Sequence, residues 1–173
     1  MVLLKVSSRG HYGLRLMTEL ARAHGQGPLS LTEVARVEGL PLPYLEQLVG
    51  PLRKAGLVTG TRGLHGGYSL AREARSMTVG EILRVLEGPI SLVDCTADDY
   101  VHGACSREAA CMSGSLWQRI KVTVESMLDA TTLYDLLYDP GFAPGMPQMP
   151  AGLERLPLAA GPIALPVESQ RRS

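Results

Sequence analysis

Three cysteines carry the most distinctive chemistry in this sequence. Cys95, Cys105 and Cys111 form the pattern C-x9-C-x5-C in a segment rich in small and polar residues. Thiolates on an irregular loop can converge on a soft metal ion or on an iron–sulfur cluster. The pattern has none of the paired C-x2-C spacing that is typical of zinc modules. An odd number of cysteines disfavours a disulfide framework and leaves metal binding, redox chemistry or inert burial as alternatives.

A second distinctive segment is the glycine-rich run at 60–67, which contains Arg62 and His65. The flanking segments 57–59 and 68–70 are short and β-prone, so we predict an antiparallel hairpin. A guanidinium on such a loop can enter a narrow minor groove, where the negative potential of DNA is concentrated. We expect Arg62 to contact DNA there, with His65 assisting.

The residues before the hairpin predict three helices. Apolar residues recur at helical spacing over residues 8–24. A capping-box pattern at 30–33 begins a short second helix, which ends at Gly39. A third helix begins near Pro43 and ends at Gly56. Two short helices joined by a turn of about four residues that contains glycine are typical of a helix-turn-helix.

The third helix is the predicted recognition helix, whose first turns present side chains to base edges in the major groove. Leu45 is expected to face the core, whereas Tyr44, Glu46 and Gln47 are expected to face outward. Glutamine can bond adenine in a bidentate manner, and glutamate can accept a hydrogen bond from cytosine. The sequence therefore predicts base reading by this turn.

Phosphate contacts are expected from two places. Arg53 and Lys54 lie two turns further along the third helix, and Ser30 and Thr32 lie at the N-terminus of the second helix. Pro51 removes a backbone hydrogen bond inside the recognition helix, so we predict a kink there.

The second half of the sequence predicts a different kind of module. A helix is expected at 78–87, irregular chain at 91–114, and one long amphipathic helix at 115–138. At about 1.5 Å per residue the long helix spans roughly 35 Å, more than a small DNA-reading module needs for its own core. It is predicted to be a dimer interface, the alternative being a helix folded back on its own core.

Charge divides the chain in the same way. The net charge is zero, yet residues 1–75 carry ten Lys or Arg against five Asp or Glu, while residues 76–139 carry four against ten. A basic half joined to an acidic half fits one module that meets phosphates and one that does not. We predict a DNA-binding domain at 1–75, a cysteine loop and dimerisation helix at 76–139, and a disordered Pro- and Gly-rich tail at 140–173.

Other functional classes are less well supported by the sequence. The first residues lack the apolar run of a signal peptide, and no stretch approaches the roughly 20 apolar residues that span a bilayer, so a cytoplasmic protein without a membrane partner is expected. An oxidoreductase or electron carrier would share the metal chemistry, but the sequence has no glycine-rich nucleotide loop and no Ser/His/Asp arrangement, so no enzyme is predicted. An interaction protein with a winged domain remains a further alternative.

Three strings carry a family resemblance: YLEQLVGPLRKAGLVTGTRGLHGGYSLAR, SSRGHYGLRLMTELA and MTVGEILRVLEGPISLVDC. Together they resemble the BadM/Rrf-type bacterial regulators, the family of IscR and NsrR, over about residues 5–138. The resemblance implies a mainly α fold, a winged helix-turn-helix with a long C-terminal dimerisation helix and a small β-hairpin wing. It also implies a homodimer on a palindromic DNA operator, with Glu46, Gln47 and Arg62 at base-contacting positions.

The same resemblance implies that Cys95, Cys105 and Cys111 ligate an iron–sulfur cluster. It leaves open a two-iron or a four-iron type, because the first gap here is longer than in IscR. The cluster would sense cluster status, redox state or nitric oxide. The alternatives are a cluster-free thiol- or zinc-dependent regulator of the same fold, or an iron–sulfur electron-transfer protein.

A fourth ligand is also implied by the resemblance. The histidine that follows the third cysteine in IscR-like members is replaced here by Gly114. NsrR-like members use a carboxylate from the first helix of the partner subunit, and His11 occupies that position here. His11 is therefore the predicted fourth ligand, and the alternatives are His102, Asp98 and Asp99.

Overall fold

The computed structural model describes residues 6–63 and 65–142. The described chain is mainly helical, as predicted, with one two-stranded antiparallel sheet. The predicted disordered tail lies outside the described residues except for a short 3-10 turn at Pro140–Phe142. In chain order the elements are α1 (Ser8–Arg22), α2 (Leu31–Glu38), α3 (Leu42–Lys54), β1 (Val58–Thr61), β2 (Gly67–Leu70), α4 (Val79–Glu87), α5 (Gly114–Ala130) and α6 (Leu133–Tyr138).

The helix-turn-helix comprises α2, a three-residue connection and α3. Ser30 caps α2, and its side chain accepts a hydrogen bond from the backbone N–H of Glu33 at 3.1 Å. Gly39 ends α2 with a φ of 64°, a left-handed conformation that costs glycine little. The chain then turns through residues 39–41 into α3, so the predicted turn and both helices are confirmed.

Pro51 does not end the recognition helix, which continues to Lys54. The backbone N–H of Ala55 still bonds to the carbonyl of Pro51 at 2.9 Å, so regular bonding resumes after the proline. Part of the reason is Gly50, since a residue without Cβ avoids one of the clashes that disfavour helical geometry before proline. The helix is therefore continuous through Pro51, and Arg53 lies on its last turn; the kink at Pro51 stays a prediction.

The wing is the hairpin of β1 and β2, in which Val58 pairs with Leu70 and Thr61 pairs with Gly67. Leu29 extends this sheet, because it exchanges two backbone hydrogen bonds with Tyr68 at 2.8 and 2.9 Å. A Cβ at Gly67 would lie 2.5 Å from the carbonyl oxygen of Leu29, so this close approach requires glycine. The start of α2 is thereby fastened to the base of the wing.

One hydrophobic core lies under the helix-turn-helix and the wing. The core draws fully buried side chains from five helices and from the chain around β1, among them Leu16, Met17, Leu45, Leu48, Leu52, Leu57, Ile82 and Leu133. Burying a leucine or isoleucine side chain contributes about 1.5–3 kcal/mol. This core holds the recognition helix and the wing in fixed relation.

The long helix predicted at 115–138 is two helices, which corrects the sequence interpretation. Thr131 and Thr132 are extended, and Thr132 begins α6 with a capping box: Thr132 Oγ1 accepts from the N–H of Asp135, and the Asp135 carboxylate accepts from the N–H of Thr132. Two further backbone hydrogen bonds join this break to residues 77–79. Helix α5 is therefore only about 25 Å long. Leu133, on α6, belongs to the core that lies under the helix-turn-helix and the wing.

Helix α5 contributes little to the core of its own chain. Of its seventeen residues only Lys121 is buried, whereas Leu116 is 52% exposed and Met127 is 38% exposed. Several apolar side chains of α5 thus remain exposed in the single chain. None of the helices in the described part of the chain combines the length and the apolar character needed to cross a membrane.

Candidate functional site

The residues predicted to contact DNA lie on α2, α3 and the wing. Six of the eight are exposed: Thr32, Glu46, Gln47, Arg53, Arg62 and His65. Ser30 is half-buried, because its hydroxyl oxygen serves as the cap of α2. The two helices and the wing belong to one packed unit, so the exposed side chains are presented from a rigid scaffold.

Tyr44 is only half-buried rather than fully outward-facing, which corrects the sequence prediction. Its ring packs edge-on against the ring of Tyr12 on α1, with centroids 6.0 Å apart and an interplanar angle of 86°. Edge-to-face pairs are a favourable aromatic geometry. Tyr44 therefore connects the first turn of the recognition helix to α1, and only part of its ring is available to DNA.

Arg15 reinforces the same connection between α1 and the helix-turn-helix. Its guanidinium forms an ion pair with Glu38 at the end of α2 and donates to the Glu38 carbonyl at 3.2 Å. The guanidinium carbon also lies 5.6 Å from the centroid of the Tyr12 ring. Side chains of α1 therefore contact both helices of the helix-turn-helix.

We call residues 8–72, which contain α1, the helix-turn-helix and the wing, the reading unit. Its basic residues fall into two groups. Arg15, Arg22 and Arg72 form ion pairs with carboxylates of their own chain. The others are exposed and form no ion pair within the described residues: Arg9, Arg36, Arg53, Lys54 and Arg62. Cations without an internal partner are available to phosphates or to a groove, and of these Arg53 and Lys54 lie on α3 and Arg62 on the wing.

The wing holds Arg62 at its tip. Residue 62 follows the last residue of β1, and Gly63 then adopts a φ of 119°. The N–H of Gly66 closes the turn on the carbonyl of Gly63 at 2.9 Å. A Cβ at Gly66 would lie 2.4 Å from the carbonyl oxygen of Thr61, so the tight turn depends on glycine here. The exposed Arg62 side chain starts from the first residue of the turn that joins β1 to β2.

The three cysteines line one cavity of about 230 Å³, which is formed by the loop that carries them and by the first residues of α5. All three are exposed free thiols. Cys95 lies in a 3-10 turn at Asp94–Thr96, and Cys111 directly follows a second 3-10 turn at Glu108–Ala110. Tyr100, His102 and Glu108 also line the cavity. The structure therefore brings together thiols that are sixteen residues apart at their extremes.

The surroundings of Cys111 favour its thiolate form. The Ser113 hydroxyl lies 3.5 Å from Cys111 Sγ, and the hydrogen bond between them lowers the pKa of the Cys111 thiol, as does the backbone at Ser113. The thiolate is the form that ligates metals and reacts as a nucleophile. Gly114 leaves the neighbouring space open, because a Cβ there would sit 3.8 Å from Cys111 Sγ.

Glu108 is the centre of a hydrogen-bond network beside these thiols. Its carboxylate accepts from the N–H of Gly103 at 2.6 Å and from the hydroxyl of Tyr100 at 3.0 Å, and it lies 2.8 Å from His102 Nδ1. These hydrogen bonds, the one with His102 foremost, lower the pKa of Glu108. The Tyr100 oxygen in turn accepts from the N–H of Cys105 at 3.2 Å.

The predicted fourth ligand, His11, and its three alternatives occupy different places. His102 lines the cavity, while Asp98 is ion-paired with Lys121 and Asp99 is exposed. His11 is exposed on the first turn of α1 and, within the described residues, does not line the cavity of its own chain. Across residues 6–63 and 65–142, no three His, Cys, Asp or Glu side chains are grouped closely enough to hold a single metal ion.

Sequence reasoning missed three residues of the cysteine site. Glu108, Tyr100 and Lys121 organise the loop through polar contacts, and none of them belongs to a ligand pattern. A partial indication was available for Glu108, which stands midway between Cys105 and Cys111. Lys121 gave none, because an isolated lysine on a helix is ordinarily a solvated surface residue.

A winged helix-turn-helix followed by a cysteine loop is an arrangement that matches a known protein family. The model of the Rrf2 family, described as an iron-dependent transcriptional regulator, matches residues 6–139. This chain belongs to the Rrf2 family. The match spans the reading unit, the cysteine loop and both C-terminal helices, so the resemblance inferred from the sequence is confirmed. The protein is a transcriptional regulator of the Rrf2 family.

Individual relatives agree with this assignment. The chain is 49% identical over 133 residues to the HTH-type transcriptional regulator CymR of Bacillus subtilis, covering 77% of this chain and 89% of CymR. The solved structure of that protein, titled as the global cysteine regulator, matches with a TM-score of 0.63 and 47% identity, over 77% of this chain and 95% of the other. The structure of IscR of T. potens matches with a TM-score of 0.64 and 44% identity, and the match covers 84% of this chain and 94% of the other. These structures confirm the winged-helix fold of this Rrf2 protein.

Proposed function

We propose that this Rrf2 protein is a homodimeric regulator whose affinity for a palindromic DNA operator is set by an iron–sulfur cluster bound to Cys95, Cys105 and Cys111. The observation that carries the proposal is the convergence of the three thiols on one cavity. Their chemistry fits the group, because thiolates are the usual protein ligands of iron–sulfur clusters. The protein ligands of a cluster are distributed over its two or four irons, so the three thiols need not be grouped around a single ion.

The fourth ligand in this proposal is His11 of the partner protomer. Its imidazole lies on an exposed first turn of α1 and is free to meet a second copy of the chain. His102 is the alternative within the same chain, although its Nδ1 already lies 2.8 Å from Glu108. When bound, the cluster supplies a centre that reacts with oxidants and nitric oxide.

The protein's own contacts give the route from the cysteine site to DNA. Helix α4 leads into the cysteine loop and packs against α1, α3 and α5. The rings of His11 and Tyr12 lie 5.0 Å apart, and Tyr12 packs on Tyr44 of the recognition helix. Ligation of His11 would thus displace its neighbour Tyr12, and through Tyr12 it would act on Tyr44 of the recognition helix. Two recognition helices must sit about one turn of DNA apart, so a small shift of α3 changes operator affinity.

DNA reading is assigned to the exposed surface of the reading unit. Glu46, Gln47 and part of Tyr44 face base edges in the major groove, and Arg62 with His65 enters the adjacent minor groove. Arg53, Ser30 and Thr32 bind phosphates, which set the position of the protein but carry no sequence information.

A cluster-free thiol regulator is the second candidate. It is favoured by the 49% identity to CymR, whose structure is titled as a global cysteine regulator. In that case the lowered pKa of Cys111 would make it the reactive thiol. The cavity and the DNA surface would be the same, and only the occupant of the loop would differ.

Anaerobic reconstitution with iron and sulfide separates the two candidates. We expect the protein to gain visible absorption with a stoichiometric content of iron and sulfide, and its operator affinity to differ between the cluster-bound and cluster-free forms. The absorption spectrum and a mobility-shift titration measure these. A colourless protein that binds its operator equally well with and without iron and sulfide would exclude cluster sensing and leave the thiol regulator.

The dimer is assigned to the exposed apolar face of α5. Leu116 and Met127 are exposed on this helix, and beside it a groove of about 250 Å³ is lined by apolar residues that include Leu83, Val124 and Leu128. Covering this surface with a second copy removes apolar area from water at about 25 cal/mol per Å².

Met127→Glu is expected to weaken the dimer by about 3 kcal/mol or more, because a symmetric interface would bury two unpaired carboxylates. Sedimentation velocity at micromolar concentration should show a shift toward monomer. Ser126→Glu is the matched control, since residue 126 is exposed and points about 100° away around the helix. If both variants remain as dimeric as the original chain, α5 is not the interface.

A further inference from the structure

The loop that carries the cysteines has almost no hydrophobic core of its own. Across residues 91–113, the only buried residue is Thr96, a polar one. Apolar burial is the usual source of order in a folded chain, and here it is nearly absent. The position of the loop must therefore depend on specific polar contacts.

The first of these contacts comes from Lys121 on α5. Its side chain is buried, and Nζ donates to the carbonyl of Thr96 at 2.8 Å and to the carboxylate of Asp98. Thr96 Oγ1 in turn donates to the carbonyl of Val93 at 2.8 Å. A buried ammonium is costly unless it is paired, so these acceptors are held tightly around it. The turn that contains Cys95 is thereby fixed to α5.

The second contact comes from Glu108, which lies on the other side of the loop. Its carboxylate holds the N–H of Gly103 and the hydroxyl of Tyr100, and that hydroxyl accepts from the N–H of Cys105. Gly103 has a φ of 90°, which allows the chain to reverse at this point. The segment before Cys105 is thereby folded back onto the chain between Cys105 and Cys111.

We infer that Lys121 and Glu108 are positioning residues that fold the nine-residue gap between Cys95 and Cys105 so that these thiols face the same cavity as Cys111 before any metal binds. This inference deepens the proposed function and rests on it for its role in cluster binding. Neither residue touches the cluster ligands' sulfur atoms; each acts through the backbone or through an adjacent side chain. The long gap is thus closed by protein contacts.

Convergence of the thiols can be measured on the metal-free, reduced protein with phenylarsine oxide. One arsenical condenses with two neighbouring thiols, forming two As–S bonds and releasing one water, so tight capture requires thiols that already lie close together. Lys121→Met and Glu108→Ala, each made in a Cys111→Ser background so that only Cys95 and Cys105 can pair, are each expected to weaken capture by roughly tenfold or more, the loss expected when a hydrogen bond to a charged group is removed. Single-thiol alkylation by iodoacetamide, followed by mass spectrometry, should change much less.

Two controls separate positioning from general damage. Arg119→Met removes an exposed cation two residues from Lys121, and Glu73→Gln neutralises an exposed carboxylate outside the loop; both should capture the arsenical as the original chain does. Lys121→Arg and Glu108→Gln retain hydrogen-bonding groups and are expected to restore most of the capture. If Glu108→Ala fails to fold, Tyr100→Phe removes only the hydroxyl that links Glu108 to Cys105 and should still weaken capture.

The outcome for positioning is independent of the outcome for the cluster. Weakened capture in the variants supports positioning even if no protein in the series gains a cluster, a result that would count against the proposed function alone. Unchanged capture in both Lys121→Met and Tyr100→Phe would overturn the inference whatever the reconstitution shows. If the results support both positioning and cluster binding, the variants that reconstitute should show altered visible circular dichroism and a shorter cluster lifetime in air.

Discussion

Replacing Cys95, Cys105 or Cys111 with serine is expected to abolish the visible absorption of the reconstituted protein and to make operator binding insensitive to iron and sulfide. Removal of an outer-shell partner of a metal site costs about 10–100-fold in affinity, so removal of a direct ligand should cost more. The serine hydroxyl keeps the size of the thiol but is not ionised near neutral pH. Iron and sulfide analysis, absorption and mobility-shift titration measure the effect.

Met112→Ser is the matched control for these variants. Residue 112 lies in the same loop next to Cys111, and its side chain is 97% exposed. It should reconstitute like the original chain and respond to iron and sulfide in the same way. Retention of a full cluster by any one of the three cysteine variants would show that this thiol is not a ligand.

Arg62→Ala is expected to lower operator affinity by about 1–3 kcal/mol, which is roughly 5- to 150-fold, and to relax preference at the base pairs under the wing. The reason is the position of Arg62 at the tip of the hairpin, without an ion pair among the described residues. A guanidinium there is available to a narrow minor groove, whose width depends on base sequence. Titrations with operators that differ only under the wing measure the change in preference.

Two further variants serve as comparisons for Arg62→Ala. Arg53→Ala should weaken binding to all sequences alike and reduce the salt dependence by about one counterion, because a phosphate contact carries no sequence information. Arg119→Ala removes an exposed cation of α5, outside the reading unit, and should leave operator affinity nearly unchanged. Unchanged specific binding by Arg62→Ala would remove the wing from the interface.

Much of the reading unit could be predicted from sequence because its determinants are local. Ser30 with Glu33 and Thr78 with Glu81 mark helix starts, and both threonine and serine act as caps in the structure. Gly39 ends α2 where expected. Alternating short strands around a glycine-rich turn predict the hairpin. Each of these features depends on residues only a few positions apart.

The errors arose where distant contacts outweigh local pattern. Apolar residues at helical spacing run from α5 through α6, but backbone pairing with residues 77–79 and the Thr132–Asp135 capping box divide the helix. Tyr44 has the spacing of an outward residue, but Tyr12 of another helix covers part of its ring.

The cysteine site shows the same limit for chemistry. The cysteines themselves are recognisable by residue type, and the sequence predicts them as ligands of one cluster. The contacts that hold the loop come from Lys121 and Glu108, which have no distinguishing pattern in sequence. Such partners become visible only when the fold brings α5 against the loop.

The junction between α5 and α6 has a consequence for the kind of operator that can be bound. The N–H of Val79 bonds to the carbonyl of Thr131 at 2.8 Å, and the N–H of Leu133 bonds to the carbonyl of Met77 at 3.0 Å. In a dimer paired through α5, this leaves no pivot between the pairing helix and either reader. One inserted base pair displaces a half-site by about 3.4 Å and rotates it by about 35°. A rigid pair of readers would not follow that change, so we expect operator affinity to depend on the length of the spacer.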